Sequence, residues 1–475
     1  MDYKQKLTSL AALLLTISLT ATAGDYNKYY QNLPVEIARV EAPQIPSLTI
    51  SLTDVGGVGD GTTLNTEAFA RGISKLQKQG GGRLVVPQGV WLTGPIKLKD
   101  NIELHLDKNA IIYFAPDKSL YVEEGKKSSR VLACISASKR TNIAITGSGI
   151  IDGNGQQWRP VKRDKVSDVE WKQFKQMGGV ERQNGKLWYP WQMKDGSPDI
   201  AAEPESQERM RNDLLRLTDC RNVLLQGVTF QNSPRFHVHP CYSDNVIIDG
   251  ITVRCPWNAQ NGDAIDLSDC HRCLIVNSTV DAGDDGLCMK SGKPHSGSIS
   301  GVEDVLIANN TVFHAHGAFV LGSETASGVR RVVVRNCRFV GTDTGLRFKS
   351  GVGRGGKTEQ IFVKDCVMTD IKDQAIIFQC DYVNRPAGQD YAAGPAFTAE
   401  ELKWKPDFQD IHIDGITCRG THTAIKASGI KDMNCVHDID ISNSLFVYTN
   451  TGINIDETTA TVKLKNVTAK DFKTK

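Results

Sequence analysis

The sequence predicts an all-β fold, a right-handed parallel β-helix (a solenoid) with an N-terminal capping helix. Three observations lead there. A short pattern recurs through most of the chain, its alternation has the period of a strand, and the composition suits many short strands and turns, with 43 glycines and only 7% aromatic residues. A length of 475 residues exceeds one ordinary compact domain. A solenoid escapes that limit because it grows along one axis without thickening its core.

The recurring unit is a polar residue followed by alternating apolar ones. It starts at Asn142-Ile143, Asn222-Val223, Asn245-Val246, Arg272-Cys273, Asp304-Val305, Arg331-Val332, Gln360-Ile361, Asp410-Ile411 and Asp438-Ile439. From Val223 onward the intervals are 23, 27, 32, 27, 29, 50 and 28 residues. Each unit holds about three short strands separated by Gly- or Asn-rich bends. Val332-Val333-Val334, Cys337-x-Phe339 and Leu346-x-Phe348 alternate with period 2 rather than 3.6. A period that varies this much, with three strands per unit, fits coils stacked at roughly 4.8 Å. Two stretches break the rhythm, near 156–212 and 381–409, and read as loops inserted between coils. The first carries Trp158, Trp171, Trp188 and Trp191.

The N-terminal part differs. Asp54 to Thr62 is glycine-rich, Thr66 to Gln79 has a helical pattern, and Gly80-Gly81-Gly82 ends it before the strand Leu84-Val85-Val86. A helix there would cap an open solenoid end that otherwise exposes core and sheet edges. The glycines lack the Lys-Ser/Thr ending of a phosphate loop. Residues 1–23 read as a signal peptide: Lys4 and Lys6, the apolar run Leu10 to Leu19, then Ala21-Thr22-Ala23. Export to the periplasm or the extracellular space is expected, leaving residues 24–475 as a single catalytic β-helix domain, expected to be a monomer.

A formal charge of +2 gives no global field for gathering nucleic acid, so attraction for an acidic ligand must be local. No stretch beyond the signal is apolar enough to span a membrane. Twelve cysteines could form disulfides in an oxidising compartment, but most lie in apolar strand-like segments, as Cys220, Cys337, Cys366 and Cys418 do. Buried free thiols are the expectation. Cys270-x-x-Cys273 has no second pair and reads as a turn.

Four motifs fall on consecutive coils: Asn261-Gly262-Asp263, Gly283-Asp284-Asp285-Gly286, His316-Gly317 and Arg347-Phe348-Lys349. Asp284 follows Cys273 by 11 residues and His316 follows Val305 by 11, so the two share a column. Asp263 and Arg347 lie at longer offsets, 17 from Val246 and 15 from Val332, which small bulges would bring into line. A patch of three carboxylates, an imidazole and two cations results. Glycoside hydrolysis needs one carboxyl protonated, to donate to the leaving oxygen, and another ionised. Crowded like charges raise one proton affinity and supply that acid. Adjacent strand residues face opposite ways. For Asp284 and Asp285 both to reach a cleft the chain must bend, which Gly283 and Gly286 would allow. Taken singly, Asp-Asp between glycines is usually a solvated turn. Their order on successive coils is what distinguishes them.

That order resembles the polygalacturonases, glycoside hydrolase family 28, as do the N-terminal glycine segment and Gly-Gly-Gly-x-x-x-x-Pro of its bacterial members. The resemblance covers about residues 50–460. Gly262 and Ala315 depart from its usual residues but remove no functional side chain. It implies Asp284 as general acid, Asp263 and Asp285 as the pair that activates water, and His316 as a tuning histidine. It also implies Asn261, Arg347 and Lys349 as substrate-binding residues, with an inverting reaction and no metal or cofactor. The implied partner is a pectic polysaccharide or oligogalacturonide. Homogalacturonan and rhamnogalacturonan backbones both stay open. The long first insertion suggests exo action. A calcium-dependent pectate lyase, with the three aspartates around an oxygen-loving cation, is the rival enzyme; a β-helical glycan-binding surface is the non-enzymatic one.

Overall fold

The computed structural model describes residues 26–122, 131–190, 211–382 and 397–473. The segment read as a signal peptide, together with Trp191 and parts of both insertions, lies outside the described residues. The chain winds into a right-handed parallel β-helix whose 32 described strands make one continuous sheet. The units read from the sequence stack in register: Ile143, Val223, Val246, Cys273, Val305, Val332, Ile361, Ile411 and Ile439 pair successively.

The polar residue that opens each unit has a backbone reason. Asn222, Asn245, Arg272, Asp304 and Arg331 all take positive φ, between 50° and 61°. This left-handed corner turns the chain from one face of the coil to the next, and Asn and Asp tolerate it best because their short polar side chains bond locally. At this corner the asparagines also stack. Asn222 donates to Asn142 at 3.0 Å and Asn245 to Asn222 at 2.8 Å. Inside, equivalent positions form apolar ladders. Leu267, Met289, Leu321, Phe348 and Phe378 are fully buried, and the last two rings stack with centroids 4.3 Å apart.

Helix α1, Thr66–Gln77, closes the first coil by burying Ala68, Phe69, Ile73 and Leu76. It stops two residues short of the predicted end. Gln79 donates to Leu76 O and Gly80 to Gln77 O, a tighter i to i−3 pattern that unwinds the last turn.

Two features have no counterpart in the sequence reading. Residues 26–42 run along the outside of the coils as a strap that packs Tyr26, Tyr29, Tyr30, Ile37 and Val40 onto Ile247, Leu274, Leu306 and Val333. The first insertion, expected to be a loop, is a folded unit. Val161–Lys162, Leu187–Tyr189 and Val180–Arg182 form an antiparallel sheet beside helix α2, Asp168–Gln176. Val161, Val166, Trp171 and Trp188 give it a small core of its own. Trp158 is fully buried edge-on against Tyr121. In the second insertion the described residues hold a one-turn helix, Ala399–Leu402. All twelve cysteines are buried free thiols. Among the described residues no helix is long and apolar enough to cross a membrane.

Candidate active site

The site lies on one face of four consecutive coils, around the strands Ile265–Ser268, Leu287–Ser291, Gly317–Thr325 and Thr344–Lys349. The common offset of Asp284 and His316 keeps them adjacent: His316 N donates to Asp284 O at 2.9 Å, and Nδ1 stands 3.1 Å from Asp284 Oδ1. Asp263 lies beside Asp285, since Ala264 N donates to Asp285 O. The extra residues before it form a loop between Arg254 and Ile265, larger than the small bulge expected, and it sets Asp263 beside Asp285 rather than in the column of Asp284 and His316. No bulge serves Arg347. It pairs in regular register with Val320, further along the strand than the His316 column, and only its long side chain brings Nη1 to 3.6 Å from Asp285 Oδ1. That corrects the expectation of a shared column.

The glycines around the aspartates also act differently from expectation. Neither Gly283 nor Gly286 is among the glycines at positive φ. They are required by close approach: a Cβ on Gly283 would lie 2.6 Å from Pro256 O and Ala259 O, and one on Gly286 2.9 Å from Ala318 O. Gly317 makes room in the same way, since a Cβ there would meet Val320 at 2.5 Å and Arg347 at 3.3 Å.

The carboxylates of Asp263, Asp284 and Asp285 each bring an oxygen within 4.8 Å of the others. Their surroundings differ. The Asp284 side chain keeps 20% exposure, against 5% for Asp263 and 3% for Asp285. Lys349 Nζ donates to Asp285 Oδ2 at 2.7 Å. Lys349 is thus engaged with an aspartate and nearly buried, and Arg347 is the cation left facing the cleft. Burial is the largest influence on the Asp285 carboxyl and raises it, as Asp284 does, but Lys349, Arg347 and Lys290 together overcome both, and the net shift is downward. For Asp284, burial again opposes ionisation. The hydrogen bond from His316, with the charges of Lys349 and Lys165, overcomes it and holds the carboxyl well below its usual range. Asp263 goes the other way. Burial and the neighbouring Asp266, Asp284 and Asp285 push it well up despite Lys290. Within the cluster the surroundings of Asp263 thus favour a proton and those of Asp284, the accessible carboxylate, favour ionisation. The three act as one titrating unit rather than as separate groups.

Several contributors had no sequence signal. Lys290 donates to Asp263 Oδ2 at 2.9 Å and to Asp266 Oδ2 at 2.7 Å, serving two carboxylates with one charge. Its Asp-x-x-Asp partners are recognisable only once the coils stack. His237 lies beneath: Ser233 N donates to its Nε2, so Nδ1 carries the proton and donates to Asp263 O at 2.9 Å. Burial holds this imidazole neutral, with its pKa lowered to about 4. One coil further toward the N-terminus, Asp213 Oδ2 accepts from His239 at 2.9 Å and from Arg216 at 3.1 Å. Lys165, from the folded insertion, reaches His316. Asn261 gives its carboxamide oxygen to Arg211 at 2.9 Å, which ties down the loop before Asp263.

Chemically the arrangement offers an accessible carboxyl beside a proton store, and two buried carboxylates whose Oδ1 atoms, on Asp263 and Asp285, have no hydrogen-bond partner. Such oxygens can accept from one water. Three oxygens this close could also surround a cation, but the Lys290 and Lys349 ammonium groups already stand 2.9 and 2.7 Å from Asp263 and Asp285 and would repel one, so a calcium ion fits poorly.

The sequence profile of glycosyl hydrolases family 28 matches residues 172–395. A Vitis vinifera protein called "Probable polygalacturonase" is 30% identical over 385 residues, spanning 78% of this chain and 69% of that one. An exo-poly-alpha-D-galacturonosidase of Dickeya chrysanthemi is 28% identical over 418 residues, 84% of this chain and 66% of its own. Among solved structures, an exopolygalacturonase from Thermotoga maritima superposes with a TM-score of 0.73 at 30% identity, covering 91% of this chain and 94% of that one.

Proposed function

The chain belongs to glycosyl hydrolases family 28, and from that membership we propose that it is a pectin-degrading polygalacturonase that releases sugars from a chain end by inverting hydrolysis. The observation that carries the reading is the cluster of Asp263, Asp284 and Asp285 within 4.8 Å, with His316 and Arg347 beside it.

Exposure decides which carboxyl meets the glycosidic oxygen, because geometry comes before proton affinity. Asp284 is the accessible one and acts as the acid; Asp263 supplies the cluster's proton. Asp263 and Asp285 take the proton of a water as its oxygen bonds to the anomeric carbon. The bond to the leaving oxygen breaks, and that oxygen departs as a hydroxyl with the proton from Asp284. Arg347 grips the galacturonate carboxylate by charge-assisted hydrogen bonds. Lys349 fixes Asp285.

The carboxylates sit closer than the ~6.5–9.5 Å common in inverting enzymes. Inversion is therefore supported by family membership and by the unpaired oxygens rather than by spacing. Exo action is supported by the names of two relatives and by the folded insertion, which reaches the site through Lys165. The reading includes export, which a polymeric substrate outside the cell requires.

Chromatography of early products on polygalacturonate, with NMR of the first anomer formed, tests the reaction, its mode and its stereochemistry. Short products from the start and an inverted anomer are expected. Mid-length oligomers would refute exo action, and a retained anomer would refute inversion. An unsaturated product would move the assignment to a lyase. Cleavage of rhamnogalacturonan alone would change the backbone.

A further inference from the structure

His316 has two ring nitrogens and each faces a different partner. Nδ1 is 3.1 Å from Asp284 Oδ1. Nε2 is 3.1 Å from the Nζ of Lys165, with Asp343 Oδ2 further off at 3.9 Å. Lys165 does not belong to the repeating coils. It sits in a short 3-10 turn, Arg163–Lys165, of the folded insertion, 151 residues from His316 in sequence and before the stretch that matches the family profile. Its ammonium also points at Gly283 O, at 3.5 Å, the carbonyl of the residue before Asp284.

An ammonium has three donors and no acceptor. A carbonyl can only accept. The contact with Gly283 O is therefore a donation, and the contact with Nε2 needs a lone pair on that nitrogen. An imidazolium would place N–H against N–H and positive charge against positive charge. With Nε2 accepting, the ring is neutral and its one proton is on Nδ1, pointing at Asp284. His237, elsewhere in the stack, has the same tautomer for a similar reason: a backbone N–H takes its Nε2.

We propose that Lys165 is a positioning residue for catalysis, which holds His316 as the neutral Nδ1–H imidazole and so keeps Asp284 from being locked as the anion of an imidazolium pair. The inference rests on Asp284 being the acid. A doubly protonated ring 3.1 Å from the carboxylate would keep the proton that the leaving oxygen needs. Lys165 replaces that close cation with one directed at the far side of the ring. Other charged groups around the pair are Asp343, which Lys372 holds at 3.1 Å, Lys162 and Asp164 on the insertion, and Lys349 beyond Asp284. Burial favours the neutral amine at Lys165, against the pull of Asp284 and Asp343, so the contact would weaken at high pH as that amine loses its charge.

The test pairs Lys165→Met with Lys165→Arg in the full chain. Lys165→Met removes one positive charge near the cluster, so its shared proton is held more tightly. The alkaline limb of kcat/KM should move up by about one pH unit, the scale of one nearby charge. The plateau kcat should fall about tenfold because His316, free to become the imidazolium, keeps that proton from the leaving oxygen, while KM changes little. Lys165→Arg should restore most of both. Selective 15N-histidine NMR, with His316 assigned by His316→Gln, should show the Nδ1–H tautomer in wild type and an imidazolium at mildly acidic pH in Lys165→Met. An alkaline limb that stays in place, a change confined to KM, or an imidazolium in wild type at neutral pH would each overturn the proposal. The NMR result does not depend on the reaction. If Asp284→Asn kept its activity while His316 showed the Nδ1–H tautomer, the acid assignment would fail and the tautomer assignment would stand.

Discussion

Lys349→Met isolates what a buried cation does for a catalytic carboxylate. Lys349 Nζ lies 2.7 Å from Asp285 Oδ2 and Arg347 Nη1 lies 3.6 Å from Oδ1. At an effective dielectric constant near 20, unit charges at those distances attract by about 6 and about 5 kcal/mol. Lys349 thus supplies slightly more than half of the close attraction. Removing one partner of a buried pair costs about 3–5 kcal/mol, and the remaining arginine places the loss near the lower end. The Asp285 carboxyl, now depressed chiefly by Lys349 against its burial, should rise by about 1–3 units. The sign follows from linkage. A carboxyl with a depressed folded value stabilises the fold above its unfolded pKa, and that gain is lost as pH falls through the folded value. In the variant the folded value is higher, so the acidic limb of activity should move up by the same 1–3 units. The stability difference from wild type should shrink as pH falls and the carboxyl becomes neutral in both. Reducing-end release at saturating substrate across pH, with urea unfolding at neutral and acidic pH, measures both quantities. An acidic limb in its original place, with a stability loss independent of pH, would refute the account of Asp285.

Other outcomes follow from the same geometry. Asp284→Asn keeps the side-chain shape but has no proton to give, so kcat should fall by roughly 10²–10⁴ with KM within a few-fold; a variant retaining most of the wild-type rate would remove Asp284 from the acid role. De-esterified polygalacturonate should be cut about 10–100 times more efficiently than highly methylated pectin, the value of charge-assisted bonds of about 1.5–3 kcal/mol. Arg347→Ala should shrink that preference, and equal rates on both polymers with wild type would show that Arg347 does not read a carboxylate. Activity should survive dialysis against a chelator, because the ammonium groups of Lys290 and Lys349 beside Asp263 and Asp285 would repel a divalent ion; loss that calcium restores would favour the lyase.

The features of this molecule legible in its sequence are those set by neighbours along the chain. A left-handed corner must recur once per coil and selects Asn or Asp, so Asn222, Asn245 and Asp304 mark the repeat even at intervals of 23 to 32 residues. Equal offsets from paired strands place Asp284 and His316 together. What escapes depends on contacts no offset records. Lys165 reaches the site from 151 residues away, on a turn whose position is fixed by the insertion's own small core. That core leaves little trace because its strands are two or three residues long and partly charged. Lys290 resembles any exposed lysine until stacking brings Asp263 and Asp266 to it. The glycines around the aspartates stand out along the chain, but the need for Gly283 comes from Pro256 O and Ala259 O on another coil.

A stack of coils is held by adjacent layers, so in principle its members can separate singly. The strap of residues 26–42 alters that for a portion of the stack. Its apolar side chains cover Ile247, Leu274, Leu306 and Val333, one from each of the four turns that present Asp263, Asp284 with Asp285, His316, and Arg347 with Lys349. It is pinned at both limits, by Glu41 N to Asn245 Oδ1 at 2.8 Å and by Arg335 Nη2 to Tyr29 O at 2.7 Å. Separating any two of those turns must peel the same ribbon. The catalytic layers are therefore bound like pages along a spine, and spacings of a few ångströms between acid, base and cation on one edge are kept by a tyrosine-rich segment on another.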